Sequence, residues 1–368
     1  MSKLITVNYN RKPIYDIMIE NDFSQLPEKI KSLGYEGVKA TIVTDKIVGP
    51  IYVDAIKDAI KGIFSEVFVY SFDAGESHKN MDTVQAILAD MVEHKMNRHD
   101  LMIAVGGGVV GDVAGFCASI YMRGIDVIQI PTSLLAQVDS SIGGKTGVDF
   151  LQYKNMVGAF KMPKLVYINT NTLSTLDDRQ FYAGMGEVLK YGLIMDASFY
   201  EWLLSKLYEI HDKDAATLEE MIEHCCVLKQ RIVERDPEEK TGDRALLNFG
   251  HTIGHAIEKY KDFTLLHGEC VALGCVAAAF ISWKKEKLSM DEYYEIRDMF
   301  VPFNLPITID DIDDEAILNL TKSDKKAENG GVKFVLLKKV GKAYLDKTLT
   351  DEEILGGIKE IHFVEDGE

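Results

Sequence analysis

Residues 101–122, LMIAVGGGVVGDVAGFCASIYM, contain the pattern that decides the fold. The first five residues are all apolar and predict a strand buried on both faces, and residues 109–122 predict a helix. Between them Gly106, Gly108 and Gly111 complete a G-x-G-x-x-G pattern. In that context glycines let backbone N–H groups and a helix N-terminus approach a pyrophosphate. The segment therefore predicts a parallel-sheet domain and suggests a nucleotide site.

The glycine pattern alone leaves a tight strand-to-helix turn without a ligand as an alternative. It follows a late strand of the chain, and the next predicted strand, residues 126–131, does not end in a clear acidic residue. The riboses of a dinucleotide would then be held from elsewhere, for example by Asp45 or by Glu76 and Lys79.

A second glycine-rich segment, SIGGKTG at residues 141–147, is similar to the end of a P-loop. The full pattern would need its first glycine at the position of Asp139, so the count argues against a Walker-type site. Lys145 still lies on a predicted glycine turn, from which it can reach an anion.

Strand and helix patterns alternate along the first half of the chain, and helix patterns dominate the second half. Strands spaced by helices predict a mostly parallel sheet covered on both faces. We therefore expect an α/β fold with an N-terminal Rossmann-like parallel-sheet domain, residues 1–175, and a C-terminal all-helical domain, residues 176–368. Further strands are predicted at residues 40–45, 67–72, 126–131 and 165–169, helices at 81–96, 179–194, 218–234, 248–260, 268–286 and 291–300, and a small hairpin at 333–346.

The bulk composition argues against several classes of protein. A formal net charge of −17 speaks against non-specific binding to nucleic acid or anionic membranes, because both need a basic footprint. The 5 cysteines show no CxxC spacing, as expected for reduced core thiols in a cytoplasmic protein. The N-terminus has no apolar signal core, and the longest apolar run, residues 270–283, is too short to span a bilayer.

Three histidines fall within a short span of the second half. In GHTIGHAIEKY, residues 250–260, His251 and His255 are one helical turn apart and point the same way, and His267 follows shortly after. Thr252 stands where a zinc protease of the HExxH type carries its glutamate, so that hydrolysis is not predicted.

A carboxylate from another helix would complete a His/Glu site suited to catalytic zinc, with cobalt or iron as alternatives. Glu187 is the candidate, because a charge among apolar neighbours is costly unless it is paired. Two alternatives stay open: Lys190 at i+3 can be that partner, and the histidines can be hydrogen-bonded core residues.

Six basic residues have unusual neighbours. Individually each is typical of a solvated surface charge, but together they frame the glycine loop and the histidines. Such a set is expected for a substrate that carries phosphate and carboxylate groups. The residues are Arg123, Lys145, Lys154, Lys190, Lys229 and Arg244.

With these pieces assembled, the chain resembles the 3-dehydroquinate synthase family almost from end to end. Several long motifs in the correct order are far more specific than any one of them. The motifs are AVGGGVVGDVAGF, YMRGIDVIQIPTSLLAQVDSSIGGKTGVD, YKNMVGAF, GMGEVLKYG, LLNFGHTIGHAIE and LHGECVALG.

The resemblance implies NAD and zinc, or cobalt, between the two domains of a homodimer. The metal ligands would be Glu187, His251 and His267, and Lys145, Lys190, His255, Asp139 and Asn155 would be catalytic. NAD would contact Asp45, Glu76, Lys79, Gly107, Gly108, Asp112, Thr132, Ser133, Asp139, Lys145, Lys154, Thr172, Leu173 and Thr175. Substrate would contact Lys145, Asn155, Lys190, Lys229, Arg244, Asn248, His255 and one of Lys325 and Lys326, with Arg123 supplied across the dimer.

The implied reaction converts 3-deoxy-D-arabino-heptulosonate 7-phosphate to 3-dehydroquinate and phosphate, in the shikimate pathway of aromatic amino acid biosynthesis. A hydride is taken from the substrate and returned to it within one turnover, so the enzyme is a phosphorus-oxygen lyase. Asp149 stands where many members of the family have asparagine, and the spacing from Lys229 to Arg244 is one residue longer than usual.

Three alternatives share this architecture. Other sugar phosphate cyclases tend to alter the stretch that here reads DSSIGGKTG, residues 139–147. Metal-dependent polyol and glycerol dehydrogenases do not need this set of lysines and arginines. A non-catalytic NAD-binding relative should have lost metal ligands, and none is missing here.

Overall fold

The structure of the protein is a computed structural model that describes residues 2–151, 153–323 and 333–364. The chain divides into two compact units. The first unit consists of Met1–Leu176 and Leu218–Glu238, and the second of Asp177–Thr217 and Glu239–Glu368.

The regular elements follow one another in an α/β order in the first unit and are mostly helical in the second. The strands are β1 Lys3–Tyr9, β2 Lys12–Glu20, β3 Lys39–Asp45, β4 Glu66–Phe72, β5 Leu101–Gly106, β6 Asp126–Pro131, β7 Lys145–Phe150, β8 Tyr153–Phe160, β9 Leu165–Asn169, β10 Phe334–Lys339 and β11 Lys342–Asp346. The helices are α1 Leu26–Ser32, α2 Gly49–Ala59, α3 Met81–Glu93, α4 Gly108–Ile120, α5 Asp178–Met195, α6 Ala197–Ser205, α7 Leu207–His211, α8 Ala215–Arg235, α9 His251–Tyr260, α10 His267–Lys284, α11 Met290–Asp298, α12 Asp314–Ser323 and α13 Asp351–Ile361.

The first unit is built on a seven-stranded sheet in the order β1-β2-β9-β6-β5-β3-β4. Only the β1–β2 pair is antiparallel, and the other neighbours are parallel. Strand β5 lies inside the sheet, and its residues alternate between two cores. Leu101, Ile103 and Val105 pack with α1 and α2 on one face, and Met102 and Ala104 pack with α3 and α4 on the other. This two-sided burial explains the unbroken apolar run and confirms the predicted Rossmann-like parallel sheet.

Helix α8 belongs mostly to the first unit, although it follows the expected boundary at residue 175. Lys3 of the edge strand β1 pairs with Glu223 at 2.7 Å, and the side chain of Gln230 donates to the carbonyl of Thr6 at 2.7 Å. A helical pattern in the sequence shows which face is apolar, but it does not show which strand edge the helix meets. The continuous division at 175/176 therefore differs from the observed one by this returning helix.

The second unit packs its helices around α10. This helix is buried on all sides, as its almost uniformly apolar sequence requires, and it contacts α5, α9, α11 and α13. The unit also contains the antiparallel hairpin β10–β11, which turns at residues 340–341 as predicted. The C-terminal half is therefore helical with one small hairpin.

All five cysteines are buried and free of disulfide bonds, as expected for core thiols. Among the described residues, no helix combines the length and the apolar character needed to cross a membrane.

Candidate active site

The parallel strands of the first unit end at one edge of the sheet, and the predicted nucleotide residues follow them there. Strand β3 ends at Asp45, β5 leads into the glycine loop, and β6 leads into Thr132 and Ser133. The N–H of Thr132 donates to the carbonyl of Gly106 at 3.0 Å, so the two loops touch. In open α/β sheets, ligands bind at this carboxyl edge.

At two glycines of the loop, the backbone lies close to serine side chains that an added Cβ atom would contact. A Cβ atom on Gly107 would lie 3.4 Å from Oγ of Ser133, and one on Gly108 would lie 3.1 Å from Oγ of Ser140. Helix α4 begins at Gly108, so its unsatisfied N–H groups point out of this loop. The loop therefore fits the approach of a pyrophosphate, as the G-x-G-x-x-G pattern predicted.

A buried glutamine that the sequence analysis did not single out holds two of the strand ends together. The side-chain amide of Gln137 donates to the carbonyls of Pro131 and Asn169, at 3.3 and 3.2 Å, and to Oγ1 of Thr172 at 2.9 Å. It thereby fixes the segment after β9, a 3-10 helix at Thr170–Thr175 that carries predicted NAD contacts. The only sequence signal was an amide between apolar residues in LLAQVD, residues 134–139.

A buried lysine is at the centre of a charged cluster beside the glycine loop. Nζ of Lys79 lies 2.7 Å from Asp112, 3.8 Å from Glu76 and 2.6 Å from Oδ1 of Asn155, and Lys154 pairs with Glu76 at 3.1 Å. The structure thus brings together four predicted NAD residues and one predicted substrate residue.

The electrostatics of this cluster follow from its burial. Burial alone lowers the pKa of Lys79, but the charges of Asp112 and Glu76 outweigh it and raise that pKa above its ordinary value. Burial raises the pKa of the Asp112 carboxyl, and Lys79 opposes that rise. The lysine is therefore a permanent cation in this region.

Lys229 meets Asp139 in the first unit. Asp139 lies in a short π-helical turn, and Nζ of Lys229 lies 2.8 Å from its carboxylate and 2.6 Å from its backbone carbonyl. Lys229 is the residue whose spacing to Arg244 is one residue longer than usual in the family. The structure places it, buried, beside another residue of the predicted catalytic set.

In the second unit, glycines let three helices approach until their backbones touch. A Cβ on Gly186 of α5 would lie 2.7 Å from the carbonyl oxygen of Gly268 of α10, and one on Gly268 would overlap the backbone of Ala183. A Cβ on Gly254 of α9 would lie 2.7 Å from the carbonyl oxygen of Cys270 of α10. These contacts hold α5, α9 and α10 at distances that larger residues would forbid.

Each of the three predicted metal ligands is next to a glycine: Glu187 follows Gly186, His251 follows Gly250, and His267 precedes Gly268. The close contacts between the three helices bring these ligands together. Oε1 of Glu187 lies 3.4 Å from Nε2 of His251 and 3.4 Å from Nε2 of His267. Ligands about 2.1 Å from a tetrahedral zinc ion stand about 3.4 Å apart. The donor types and their separations therefore fit a divalent metal.

The second ring nitrogen of each histidine faces an oxygen acceptor. Nδ1 of His251 lies 3.1 Å from the carbonyl oxygen of Phe249, and Nδ1 of His267 lies 3.6 Å from Oε2 of Glu258. Glu258 is a buried residue of α9 that the sequence analysis quoted in a motif but did not assign. Its signal was a carboxylate seven positions after His251 on a helix with an apolar buried face.

The surroundings of His251 and His267 shift the pKa values of the two side chains in opposite directions. Burial lowers the pKa of His251 to about 4, although Glu187 opposes this change. Burial also acts to lower the pKa of His267, but hydrogen bonding to Glu187 and Glu258 outweighs it and raises the pKa to about 9.

His255 belongs to the same cluster. Its ring centroid lies 5.1 Å from that of His251 and 5.6 Å from that of His267, and the three histidines can offer ligand atoms within 4.8 Å of one another. The structure therefore brings His255 to the site. Its position is compatible with the predicted contact to substrate and also with a role as a metal ligand.

The remaining predicted substrate residues lie at different depths. Lys190 is buried and forms an ion pair with Glu187, so it is a charge partner of that carboxylate, as its i+3 spacing allows. Arg244 is buried and Asn248 is exposed on the 3-10 helix before α9, and Lys145 and Arg123 are exposed in the first unit. Lys325 and Lys326 lie outside the described residues.

Solved structures with the same fold define the class of protein. ValA, a 2-epi-5-epi-valiolone synthase from Streptomyces hygroscopicus with NAD⁺ and Zn²⁺ bound, has a TM-score of 0.87 at 24% identity, with 97% of this chain and 99% of that one covered. A 2-deoxy-scyllo-inosose synthase complexed with carbaglucose-6-phosphate, NAD⁺ and Co²⁺ has a TM-score of 0.81 at 25% identity, covering 97% and 100%. NADH-dependent butanol dehydrogenase A from Thermotoga maritima has a TM-score of 0.70 at 14% identity, covering 97% and 99%. The chain has the fold that these synthases and the dehydrogenase share.

Sequence comparison narrows this class to one family. The family described as 3-dehydroquinate synthase N-terminal matches residues 69–183, and 3-dehydroquinate synthase C-terminal matches residues 184–327. A 3-dehydroquinate synthase from Ruminiclostridium cellulolyticum is 42% identical over 351 residues, which cover 95% of this chain and 96% of the relative. One from Acetivibrio thermocellus is 40% identical over 353 residues, covering 96% and 98%. The chain belongs to the 3-dehydroquinate synthase family, and the resemblance drawn from its motifs is confirmed.

Proposed function

We propose that this chain converts 3-deoxy-D-arabino-heptulosonate 7-phosphate to 3-dehydroquinate and inorganic phosphate, with NAD and a divalent metal, zinc before cobalt. The observation that carries the proposal is the cluster of Glu187, His251 and His267, present in a chain that matches both parts of this family. Its relatives bear the name of this enzyme at about 40% identity, and the solved synthases of the same fold contain NAD⁺ with Zn²⁺ or Co²⁺.

The residues of the second unit would divide the chemistry among them. Glu187, His251 and His267 would hold the metal. When bound, the metal polarises a substrate hydroxyl and NAD serves as the reversible hydride acceptor. Lys190 places a buried positive charge next to Glu187, where an anionic oxygen of the substrate gains most from it. His255 would carry a proton to and from the substrate through a water molecule.

The cations of the chain would bind the ends of the substrate. A protein with a net charge of −17 repels a sugar phosphate in general, so its anionic groups need local partners. Lys145, Arg244 and one of Lys325 and Lys326 supply these charges in the proposal, and Asn155, Asn248 and Lys229 supply further polar contacts. A polyol or glycerol dehydrogenase acts on an uncharged substrate and does not require such a set.

The nucleotide would lie at the carboxyl edge of the sheet. The loop of Gly107 and Gly108 would receive the pyrophosphate, because helix α4 begins there and directs its first N–H groups toward an anion. The other contacts would come from the strand ends and the charged cluster: Asp45, Glu76, Lys79, Asp112, Thr132, Ser133, Asp139, Lys145, Lys154, Thr172, Leu173 and Thr175.

One assay tests the reaction. The heptulosonate phosphate is supplied with NAD far below the substrate concentration, and both phosphate and NADH absorbance are followed. We expect phosphate release in large excess over NAD, no lasting NADH, and loss of activity with a chelator that zinc restores. NADH that accumulates without phosphate release would instead identify a dehydrogenase, and cyclisation of a different sugar phosphate only would identify another cyclase.

We also propose that the chain acts in the cytoplasm as a homodimer in which Arg123 reaches the partner's site. Arg123 is exposed in a left-handed backbone conformation, with φ of 70°. Exposed apolar side chains on the β7–β8 hairpin, among them Tyr153, Met156 and Phe160, are a surface that a second copy would cover. Five buried free cysteines suit a reducing compartment, and cell fractionation tests that location.

Subunit mixing tests the shared site. Arg123→Ala and His267→Ala chains are each expected to be nearly inactive when pure. In a mixed dimer one site would combine an intact His267 with the Arg123 of its partner, so mixing the two proteins should restore part of the activity. If exchange of subunits is demonstrated and the activity does not recover, Arg123 acts in its own chain's site or in neither site.

A further inference from the structure

Glu258 is a buried acidic residue behind the histidine cluster. It is 2% exposed on α9, among the buried residues Ile253, Ala256 and Ile257. An ionised carboxylate in such surroundings is costly unless it is matched by a charge or a hydrogen-bond donor. The reaction proposed above gives this residue no task.

The contacts of His267 indicate what the task is. Its Nε2 faces Oε1 of Glu187 at 3.4 Å, and its Nδ1 faces Oε2 of Glu258 at 3.6 Å. A neutral imidazole has one N–H donor and one acceptor nitrogen. When a metal lies between Nε2 and Glu187, the proton has to be on Nδ1, beside Glu258. Nε2 then presents its lone pair on the side of Glu187.

His251 has the same arrangement with a different acceptor. Its Nε2 also faces Oε1 of Glu187 at 3.4 Å, but its Nδ1 lies 3.1 Å from the backbone carbonyl of Phe249. Both histidines thus direct Nε2 to one carboxylate oxygen, and each has an oxygen acceptor behind it. Histidines that ligate a metal almost always have such an acceptor at the other ring nitrogen, since it fixes the tautomer and increases the basicity of the ligand.

We propose that Glu258 is a positioning residue for His267: its carboxylate accepts Nδ1–H and thereby holds Nε2 unprotonated and directed toward the metal position. The inference rests on the proposed function only in taking His267 as a metal ligand. Phe249 acts on His251 through its backbone, so Glu258 is the acceptor that a side-chain substitution can remove.

The test measures zinc binding to the full-length protein without NAD or substrate. The metal is removed, zinc is titrated in competition with a chromophoric chelator, and folding is checked by circular dichroism. We expect Glu258→Leu to weaken zinc binding about 10- to 100-fold, the usual loss when such an acceptor is removed. Glu258→Gln keeps an oxygen acceptor without the charge, so we expect a smaller loss, about 3- to 10-fold.

A matched control removes another buried carboxylate of the same unit. Asp346 is 7% exposed and accepts from the N–H and hydroxyl of Thr348. Asp346→Asn should leave zinc affinity unchanged even where it lowers the melting temperature. This separates an effect on His267 from a general loosening of the unit.

A spectroscopic readout tests the tautomer directly. In ¹H–¹⁵N spectra of the zinc-bound protein, Nδ1 of His267 should carry the proton in the wild type and in Glu258→Gln. A folded Glu258→Leu protein that binds zinc as tightly as the wild type, with the same tautomer, would overturn the inference. If Glu258→Leu does not fold, Glu258→Gln decides, and zinc affinity equal to that of the wild type then overturns it. Failure of the phosphate-release assay would leave all these measurements unaffected.

Discussion

The strand-end region of the first unit and the histidine cluster of the second both gather buried charged groups, but they do so in opposite ways. In the first, Lys79 has Asp112 and Asn155 as partners, and the loops that follow successive strands carry the other predicted NAD residues. In the second, side chains of three helices meet at one oxygen of Glu187.

The two regions therefore depend on different parts of the fold for their geometry. The strand-end region depends on the parallel sheet, which fixes where all the loops emerge. The histidine cluster depends on the separation of α5, α9 and α10, which is set by contacts at Gly186, Gly254 and Gly268. We expect the first region to lose affinity by degrees when side chains are removed, and the second to fail at single substitutions.

The largest effect is expected from His267→Ala. The variant should lose bound metal and reduce phosphate release by about 10³-fold or more, since a bound metal contributes several kcal/mol to such a step. NAD binding to the strand-end region should persist. Metal content by elemental analysis and NAD titration by fluorescence measure the two regions separately.

His255→Ala is the matched variant within the same cluster. It should retain the metal and lose about 10²- to 10⁴-fold in rate, the usual contribution of a proton-transfer group. A His255→Ala protein without zinc would make His255 a ligand, and a His267→Ala protein with a full complement of metal would remove His267 from that set.

Gly268→Ala tests whether helix separation controls the cluster. The added methyl group would overlap the backbone of Ala183, so α5 and α10 must move apart. Overpacking of this kind costs about 1–3 kcal/mol of unfolding free energy, and more where backbone must shift. We expect weak zinc binding together with NAD affinity close to that of the wild type, measured by the same two titrations.

Gly356→Ala on α13 is the control for the same chemical change. A Cβ there would come no closer than 4.0 Å to Phe280, so the substitution should be neutral or stabilise the helix by up to about 1 kcal/mol. Normal zinc affinity in Gly268→Ala would show that the ligands do not depend on this helix contact.

Lys79→Met tests the other side of the comparison. It removes a cation that contacts Asp112, Asn155 and Glu76, so these groups lose their partner but keep their backbone positions. Hydrogen bonds to charged groups contribute about 1.5–3 kcal/mol, so NAD affinity should fall about 10- to 100-fold. Zinc affinity should not change.

The exposed pair of Lys31 and Glu36 provides the control, because Lys31→Met removes a lysine from the same unit without touching the cluster. It should leave NAD affinity as it is. If Lys79→Met binds NAD normally and loses zinc, the assignment of the two regions is reversed.

The fold could be predicted largely from local patterns. The strand predicted at 165–169 has those bounds in the structure, and the strands at 40–45 and 67–72 differ by one residue. β3 and β9 are buried parallel strands, which appear in a sequence as short apolar runs bounded by polar residues, and β4 is a partly exposed edge strand. Lys145 was expected on a glycine turn, but it begins strand β7. The local sequence did not predict this strand, because β7 is formed by pairing with residues 153–160. No pattern identified β1 and β2 either.

The site was predicted less completely. The resemblance named Glu187, His251 and His267, but the oxygen that both rings share is a tertiary contact between three helices. The role of Glu258 was not predicted for the same reason. The helix pattern shows the spacing of Glu258 from His251, whereas its contact is with His267 on another helix. Spacing along one helix gives directions, and only packing gives distances.

Asp149 is the residue where this chain departs from the family pattern, and it carries the smallest predicted effect. Its carboxylate accepts the N–H of Asn155 at 2.8 Å, beside the Lys79 cluster. Burial raises the pKa of Asp149 above its ordinary value, and the negative charge of Glu76 adds to this, against the opposing N–H of Asn155 and the charge of Lys79. A raised folded-state pKa means that the carboxyl stabilises the fold when protonated at low pH, and that this contribution is lost as the pH rises through the folded pKa.

Asp149→Asn should therefore increase the unfolding free energy at about pH 7, but only by a few tenths of a kcal/mol, because the side chain is half-exposed and solvent screens it. The gain should vanish only near about pH 3, where the wild-type carboxyl is largely protonated in the unfolded state as well as in the folded state. Urea titrations at the two pH values measure this, with the exposed Asp54→Asn on α2 as the control. If Asp149→Asn instead destabilises the protein at both pH values and weakens NAD binding, the charge of Asp149 is a working part of the Lys79 cluster. The strand-end region would then depend on one precise side chain, as the histidine cluster does.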